Sequence, residues 1–366
     1  MKMISDMQYN LYFCNLNLKK MTINLQEKAA MLRQIVEGCH KVVTVTHIHP
    51  DGDAVGSSIG TACWCESLGM EVTCIFPDPV PESICFAVRP ERAAKTIAFS
   101  KEGERARKAV EECDLIIALD FADFSRAEGM EEILESAAKK KVQIDHHLYP
   151  STEQFDLSVS ENEISSASEL AYQLLKGLVA EGFGSFTTEA LESFLTGMTT
   201  DTNNFANSVW PSTLEMASEM LQAGIDRDRI VENINWHYGE NRLRLLGKLL
   251  HEKMILTPGG LAVMVLRKDD IEAFDLGEGD TEGFVNIPLA IKKVRMSCFL
   301  KEYDGFFRVS LRSKKGTSAN ACATSYFHGG GHENAAGGKI FFPGDIPSPD
   351  EAEKYMEKIS KEFFGK

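Results

Sequence analysis

The chain has 366 residues, 43% of them hydrophobic, enough for two domains that each bury a core. Against 39 basic residues stand 54 acidic ones, a net charge of −15, which excludes a broad basic face for long nucleic acid but leaves room for a short, locally gripped polyanion. Nine cysteines without a CxxC pair read as reduced core thiols of a cytoplasmic protein, and no apolar run of about 18 residues offers a membrane span.

Residues 1–20 lack the basic start, apolar run and cleavage site of a signal peptide and read as an N-terminal extension. From there strand and helix patterns alternate. KVVTVT (41–46) is a β-branched strand, 56–68 has helical spacing, and EVTCIF (71–76) is a second strand. A helix over 104–112, a strand DLIIALD (114–120), a helix over 130–140 and a strand KVQI (141–144) follow. Apolar strands alternating with helices predict a mainly parallel sheet covered on both faces, an α/β domain over 21–210. Helices are expected over 165–179, with serine caps, and over 187–198. Further helices over 211–224, with proline first and glycine last, and over 226–238 make 211–250 a helical connector and hinge. Beyond it MILTPGGLAVMVL, RMSCFLKEYDG and FFRVSLRS read as strands, with Asp304-Gly305 as a hairpin turn. A helix-like stretch and the cluster FHGGGHENAAGGKI complete a smaller α/β domain over 251–366.

The chemistry collects where strands end. His47, His49, Asp51 and Asp53 lie in THIHPDGDAVGSS (46–58), Asp120 closes ALD, Asp145-His146-His147 follows KVQI, and Asp201 sits in TTDTNNF. One histidine or aspartate at a strand end is ordinarily a cap or turn residue. Several of them are brought to one place by a parallel sheet, whose strand carboxyl ends form a common rim where ligands bind. Imidazole and carboxylate without thiolate suit Mn²⁺, Fe²⁺, Co²⁺ or Mg²⁺ better than structural zinc. Two such ions about 3.5–4 Å apart need a shared carboxylate. Trp64, Trp210, Trp236, Met216 and Met220 read as packing residues, and His40, His237 and His251 stand apart from any cluster.

HxxxDxD at 47–53, the strand-terminal Asp120, the DHH at 145–147 and the later Asp201 resemble the four motifs of the DHH phosphoesterases. LRS at 311–313 and GGGH at 329–332 resemble those of the DHHA1 domain. The two together cover nearly the whole chain after the extension. With these domains and little else, the chain is most similar to the nanoRNase and pAp-phosphatase branch.

That resemblance implies a metal-dependent hydrolase of phosphoric esters, with two divalent ions, most often Mn²⁺, and an active-site cleft between the domains. His47 and Asp51 would hold one ion, Asp53, His146 and Asp201 the other, and Asp120 would bridge them. His147 would face the scissile phosphate, and Asp145 would orient the histidine pair. A hydroxide activated by the two ions would attack phosphorus in line with the leaving oxygen, with charge on the phosphoryl oxygens offset around it. Arg126, Arg312, Ser313, Gly329, Gly330, Gly331 and His332 would contact the substrate, Arg312 gripping a phosphate in bidentate fashion. The expected substrates are very short single-stranded RNA, cleaved to mononucleotides, and pAp, which would lose its 3′-phosphate. Hydrolysis of linear or cyclic dinucleotides is the nearest alternative, and a nucleotide-binding regulator a more distant one. A homodimer would be unsurprising. His49 departs from the family, which more often has a small polar residue there, and is expected at the rim of the site.

Overall fold

The computed structural model describes residues 24–147, 149–235, 239–277, 280–331 and 333–365. The expected extension 1–20, Trp236, His237 and His332 therefore fall outside the described residues. The chain divides into two compact units between residues 237 and 238.

In the first unit, helix α1 (24–36) leads into β1 (Lys41–Val45), α2 (Gly52–Ser67), β2 (Glu71–Phe76), α3 (Pro90–Ala93), β3 (Thr96–Ala98) and α4 (Phe99–Glu112). Then come β4 (Leu115–Leu119), α5 (Glu131–Ser136), β5 (Lys140–Asp145), β6 (Leu157–Ser160), α6 (Ala167–Ala180), α7 (Thr188–Asp201), α8 (Pro211–Gln222) and α9 (Arg227–Asn235). The six strands run in the order β3-β2-β1-β4-β5-β6 and every pairing is parallel. The alternation of side chains fills two cores. Val42, Leu115, Ile117, Leu119, Val142 and Ile144 pack under α2, α6 and α7, while Val43, Val45, Ile116 and Ala118 pack against α4 and α5 on the other face. Strand order reverses between β1 and β4. A crevice at the carboxyl ends of those two strands is where an open sheet of this kind takes a ligand.

The chain-order pattern was legible to within a few residues, with three differences. The edge strands β3 and β6, three and four residues long, carry too little sequence to show a period. Helix α5 is six residues where eleven were expected, because the lysines from 139 onward already belong to the turn and the start of β5. Helices α2 and α4 start at Gly52 and Phe99, four and five residues before the expected positions.

The second unit contains α10 (Glu240–Lys248), β7 (Ile255–Leu256), β8 (Leu261–Leu266), α11 (Lys268–Ala273), β9 (Met296–Tyr303) and β10 (Phe306–Ser313). It ends with α12 (Ala319–Tyr326), β11 (Gly330–Gly331), β12 (Ala335–Phe341) and α13 (Ala352–Phe364). Its mixed sheet has the order β11-β12-β10-β9-β8-β7, with β8 and β9 parallel and the other pairs antiparallel. Asp304-Gly305 is the two-residue turn between β9 and β10, with Gly305 at φ +80°. One face of the sheet packs Met296, Cys298, Leu300, Phe307, Val309 and Leu311 against α12 and α13. Within the stretch read as a connector, Met216, Met220 and Ile230 belong to the first core, while Leu245 and Leu249 pack with Phe284 and Phe299 in the second.

Candidate metal centre

The site is assembled at the β1/β4 reversal. The loop after β1 carries His47, and Asp51 caps α2 by accepting the Asp53 and Ala54 amides, both at 3.0 Å. The His47 Nδ1–H donates to the Ile48 carbonyl at 2.7 Å, which turns Nε2 to Asp120 Oδ2, 3.4 Å away, and to Asp51 Oδ1 at 4.0 Å. Asp120 is the first residue past β4. It holds a left-handed φ of +65°, a conformation aspartate tolerates better than most side chains, and its amide donates to the Ile144 carbonyl of β5 at 3.1 Å. The backbone is bent there to deliver one carboxylate into the rim.

The other oxygen of that carboxylate, Asp120 Oδ1, lies 3.4 Å from His146 Nε2. His146 Nε2 is also 3.9 Å from Asp53 Oδ2 and 3.7 Å from Asp201 Oδ2. Two sets of ligand atoms result, His47/Asp51/Asp120 and Asp53/His146/Asp201, with a third, Asp120/His146/His147, overlapping them. Asp120 gives one oxygen to each side, as a carboxylate shared by two cations would.

Asp53 is steered by a helix terminus. Its carboxylate accepts the Ala167 amide at 2.7 Å and the Ser168 amide at 2.9 Å, the first turn of α6, whose cap is Ser166. Asp201 is the last residue of α7 rather than a loop residue beyond it. Helix α7 lies close enough to α2 only because the contact is made of glycine. A Cβ on Gly52 would come within 2.3 Å of Thr200, one on Gly56 within 2.4 Å of the Ser193 carbonyl, and one on Gly60 within 2.4 Å of Phe194. From the α7 side, a Cβ on Gly197 would sit 2.8 Å from Asp53 Oδ1 and 2.0 Å from Ser168 Oγ. These glycines were missed from sequence. The signal was the spacing Gly52, Gly56, Gly60, one face of a helix at intervals of four.

The second histidine of the pair is held differently. His147 Nδ1 lies 2.7 Å from Asp145 Oδ1, with the fully buried carboxylate accepting. That bond orients the imidazole, and its ring stands edge-on to that of His146 at 4.8 Å. His49 turns away from the clusters to Asp78, 2.9 Å from its carboxylate, and stays at the exposed rim. Arg126 has an exposed side chain, and its backbone carbonyl accepts the Ile48 amide at 2.8 Å beside His47.

The electrostatics are those of a site built around positive charge. Burial, Asp120 and Asp201 push the Asp53 carboxyl well above the usual range, against the pull of His146. Burial likewise raises Asp201, to about 7, with His146 opposing and Asp120 and Asp51 adding to the rise. Burial alone would lower both histidines, but the nearby Asp120 carboxylate raises His47 to about 9 and His146 to about 10. Burial would raise Asp120, yet the same two imidazoles hold its carboxyl well below the ordinary value. Asp120 Oδ1 and Asp145 Oδ2 are buried with no hydrogen-bond partner among the described residues. Four clustered carboxylates, three of them raised by burial and by neighbouring acids, and an orphaned buried oxygen fit divalent cations, which would displace protons and take up that lone pair.

The second unit gathers the other candidates around the end of β10. Arg312 is half-buried, donates to its neighbour's Leu311 carbonyl at 2.9 Å, and has no ion pair among the described residues. Burial lowers its pKa, with Glu282 opposing. Ser313 Oγ donates to the Thr317 carbonyl at 2.6 Å and accepts from Asn334 Nδ2 at 2.9 Å, so the hydroxyl is engaged in closing its own loop. The three glycines approach backbone closely, and that backbone is β12. A Cβ on Gly329 would lie 2.0 Å from the Gly337 carbonyl and one on Gly331, at φ +147°, 2.6 Å from that of Ala335. The Gly331 amide donates to Asn320 Oδ1 at 2.9 Å, and Gly330 lies between them in β11.

Comparison with known proteins gives matches over both units. Residues 41–198 match the DHH family N-terminal domain and residues 260–361 the DHHA1 domain. A Thermus thermophilus protein named bifunctional oligoribonuclease and PAP phosphatase NrnA is 28% identical over 318 residues, 86% of this chain and 89% of that one. A Bacillus subtilis protein of the same name is 28% identical over 320 residues, 87% of this chain and 93% of its own. The crystal structure of an exopolyphosphatase-related protein from Bacteroides fragilis superposes with a TM-score of 0.86 at 35% identity, covering 93% of this chain and 97% of that one. With both sheets and both domain matches in one chain, this protein belongs to the DHH family and carries a DHH domain followed by a DHHA1 domain.

Proposed function

We propose that this chain is a metal-dependent phosphoesterase that hydrolyses short oligoribonucleotides to mononucleotides and removes the 3′-phosphate of pAp, with two divalent ions, Mn²⁺ first among them. The observation that carries the reading is Asp120, whose two oxygens each lie 3.4 Å from a different imidazole. Two relatives named oligoribonuclease and PAP phosphatase, matched over most of both chains, supply the substrate class. Bound at such a site, divalent cations neutralise phosphoryl charge and acidify an attacking water. The chain's own residues do the rest. His47, Asp51 and Asp120 would hold one cation and Asp53, His146 and Asp201 the other, with Asp53 fixed by the α6 amides. His147, oriented by Asp145, would offset charge on a phosphoryl oxygen as it develops. Arg312 would take a substrate phosphate: a half-buried guanidinium whose charge burial disfavours gains most from an anion. Arg126 is a weaker candidate for the same role beside the first cation. No described helix is long and apolar enough to cross a membrane, and the eight described cysteines are free thiols, which supports a cytoplasmic setting.

The test is turnover of pAp, an RNA dinucleotide, an RNA pentanucleotide and a 24-nucleotide RNA in Mn²⁺ buffer. The short substrates should be consumed fastest. Equal rates on the 24-nucleotide RNA would point to a processive exonuclease instead, and turnover of linear or cyclic dinucleotides alone would favour the dinucleotide phosphodiesterase reading.

A further inference from the structure

Strand register places an unusual pair of rows on the second sheet. Phe307, Val309 and Leu311 of β10 point into the core, so Phe306, Arg308, Ser310 and Arg312 share the opposite face. Across that face Arg308 pairs with Lys301 of β9 on one side and with Lys339 of β12 on the other. Three cations therefore stand directly opposite one another across three strands. In the next row Phe306 pairs with Tyr303 and Phe341. Tyr303 and Phe306 are stacked, with centroids 5.2 Å apart and planes at 6°, and Phe341 follows at 6.2 Å from Phe306 and is exposed.

Ion pairing gives no reason for the cation row. Like charges facing one another across a sheet are destabilising. Lysines on edge strands guard against unwanted pairing, which accounts for Lys339, since β11 covers β12 only as far as Gly337, but Lys301 and Arg308 stand on strands paired on both sides. None of Lys301, Arg308 and Lys339 forms an ion pair with a described residue. The acids nearby in sequence are engaged elsewhere, Glu302 with Arg267, Asp304 with Lys268 and Asp345 with His328. Lys339 and Lys301 lie over the aromatic row, 4.9 Å from the Phe306 ring and 5.7 Å from the Tyr303 ring. A row of cations beside a row of stacked rings is the pairing that holds phosphate and base of single-stranded nucleic acid on a sheet. The row is local, since the chain as a whole carries −15.

We propose that this face is a binding track for the single-stranded segment of an oligoribonucleotide lying beyond the phosphate at Arg312. It rests on the reading of short RNA as substrate. Arg308 is four residues from Arg312 on the same face, about 13 Å along the strand, a span that a short oligonucleotide covers and pAp does not. The phosphates would meet Lys301, Arg308 and Lys339, and a base would stack on the ring row. The track then makes affinity depend on chain length within short RNA.

The experiment compares the full-length wild type with the Lys301→Ala/Arg308→Ala/Lys339→Ala variant and with Phe306→Leu/Phe341→Leu. Binding of a labelled RNA pentanucleotide is measured by fluorescence anisotropy in EDTA, so that no turnover is needed, across a salt series. Removing three phosphate contacts should weaken binding at least about tenfold and flatten the slope of log affinity against log salt by about 2 units. KM and kcat for pAp should be unchanged, and Arg308→Lys should retain most of the wild-type affinity. Loss of the ring pair should weaken pentanucleotide binding without changing the salt slope. Wild-type affinity and slope in the triple variant would overturn the track, as would an equal rise in KM for pAp. A wild type that binds the pentanucleotide through these residues yet turns over neither it nor pAp would refute the proposed activity and leave the track standing.

Discussion

Asp120 is the residue on which the site turns. Among the described residues it is the side chain that faces both the His47 and His146 imidazoles, and its Oδ1 is buried without a hydrogen-bond donor. Asp145 acts one step away, through His147. Asp145→Asn should keep the metal set and lower kcat by about 10- to 100-fold, the range of residues that orient others. A kcat within twofold of wild type would remove Asp145 from the mechanism. The protonation pattern gives a second expectation. In metal-free protein Asp201 rises from 3.8 to about 7, and His47 and His146 rise from 6.5 to about 9 and about 10. Each folded-state value lies above its unfolded one, so the folded chain binds more protons and metal-free stability falls as pH rises through these windows. Cations displace the same protons. The Tm difference between Mn²⁺-loaded and EDTA-treated protein should therefore be larger at pH 8 than at pH 6, and an equal or smaller difference at pH 8 would contradict the assignment.

At the scale of elements, the site depends on how closely α2 and α7 approach. Gly56 and Gly197 allow a contact that no Cβ fits, and the approach brings Asp53 and Asp201 to His146 from two helices. Gly56→Val should destabilise the protein by about 1–3 kcal/mol through overpacking. It should also weaken metal binding more than an equally destabilising substitution on α13, such as Met356→Ala. Calorimetry of Mn²⁺ binding alongside thermal unfolding separates the two effects. Elements were legible where their period ran long, as in the apolar strands β1, β4 and β5 that lead to His47, Asp120 and Asp145. That His47, Asp120 and the 145–147 triplet converge was legible because strand ends share a rim in a parallel sheet, whereas the roles of Asp51, Asp53 and Asp201 came from the resemblance to the DHH motifs. The glycine contact was not, because it is a property of two helices together. Ser313 was assigned a substrate contact from its motif alone, and sequence could not reveal that Thr317 and Asn334 occupy its hydroxyl.

At the scale of the whole molecule, the charge balance bears on substrate length. A chain of net charge −15 repels a long polyanion except where local cations meet it. Raising salt should therefore slow cleavage of a pentanucleotide more than that of pAp, since the longer substrate neutralises more phosphates. Equal salt dependence would mean that affinity comes from the terminal phosphate alone. The central claim is that one shared carboxylate makes this chain a phosphoesterase of short RNA. It is tested most directly by the rate of mononucleotide release from an RNA dinucleotide in Mn²⁺ buffer, wild type against Asp120→Asn. The substitution keeps the side chain's shape while removing the charge that two cations would share. The account predicts that wild type releases mononucleotides and that the variant, with its metal-free Tm no lower than that of wild type, loses turnover by on the order of 10³-fold or more. A variant within tenfold of wild type would contradict the shared-carboxylate site, and a wild type with no release would contradict the assigned reaction.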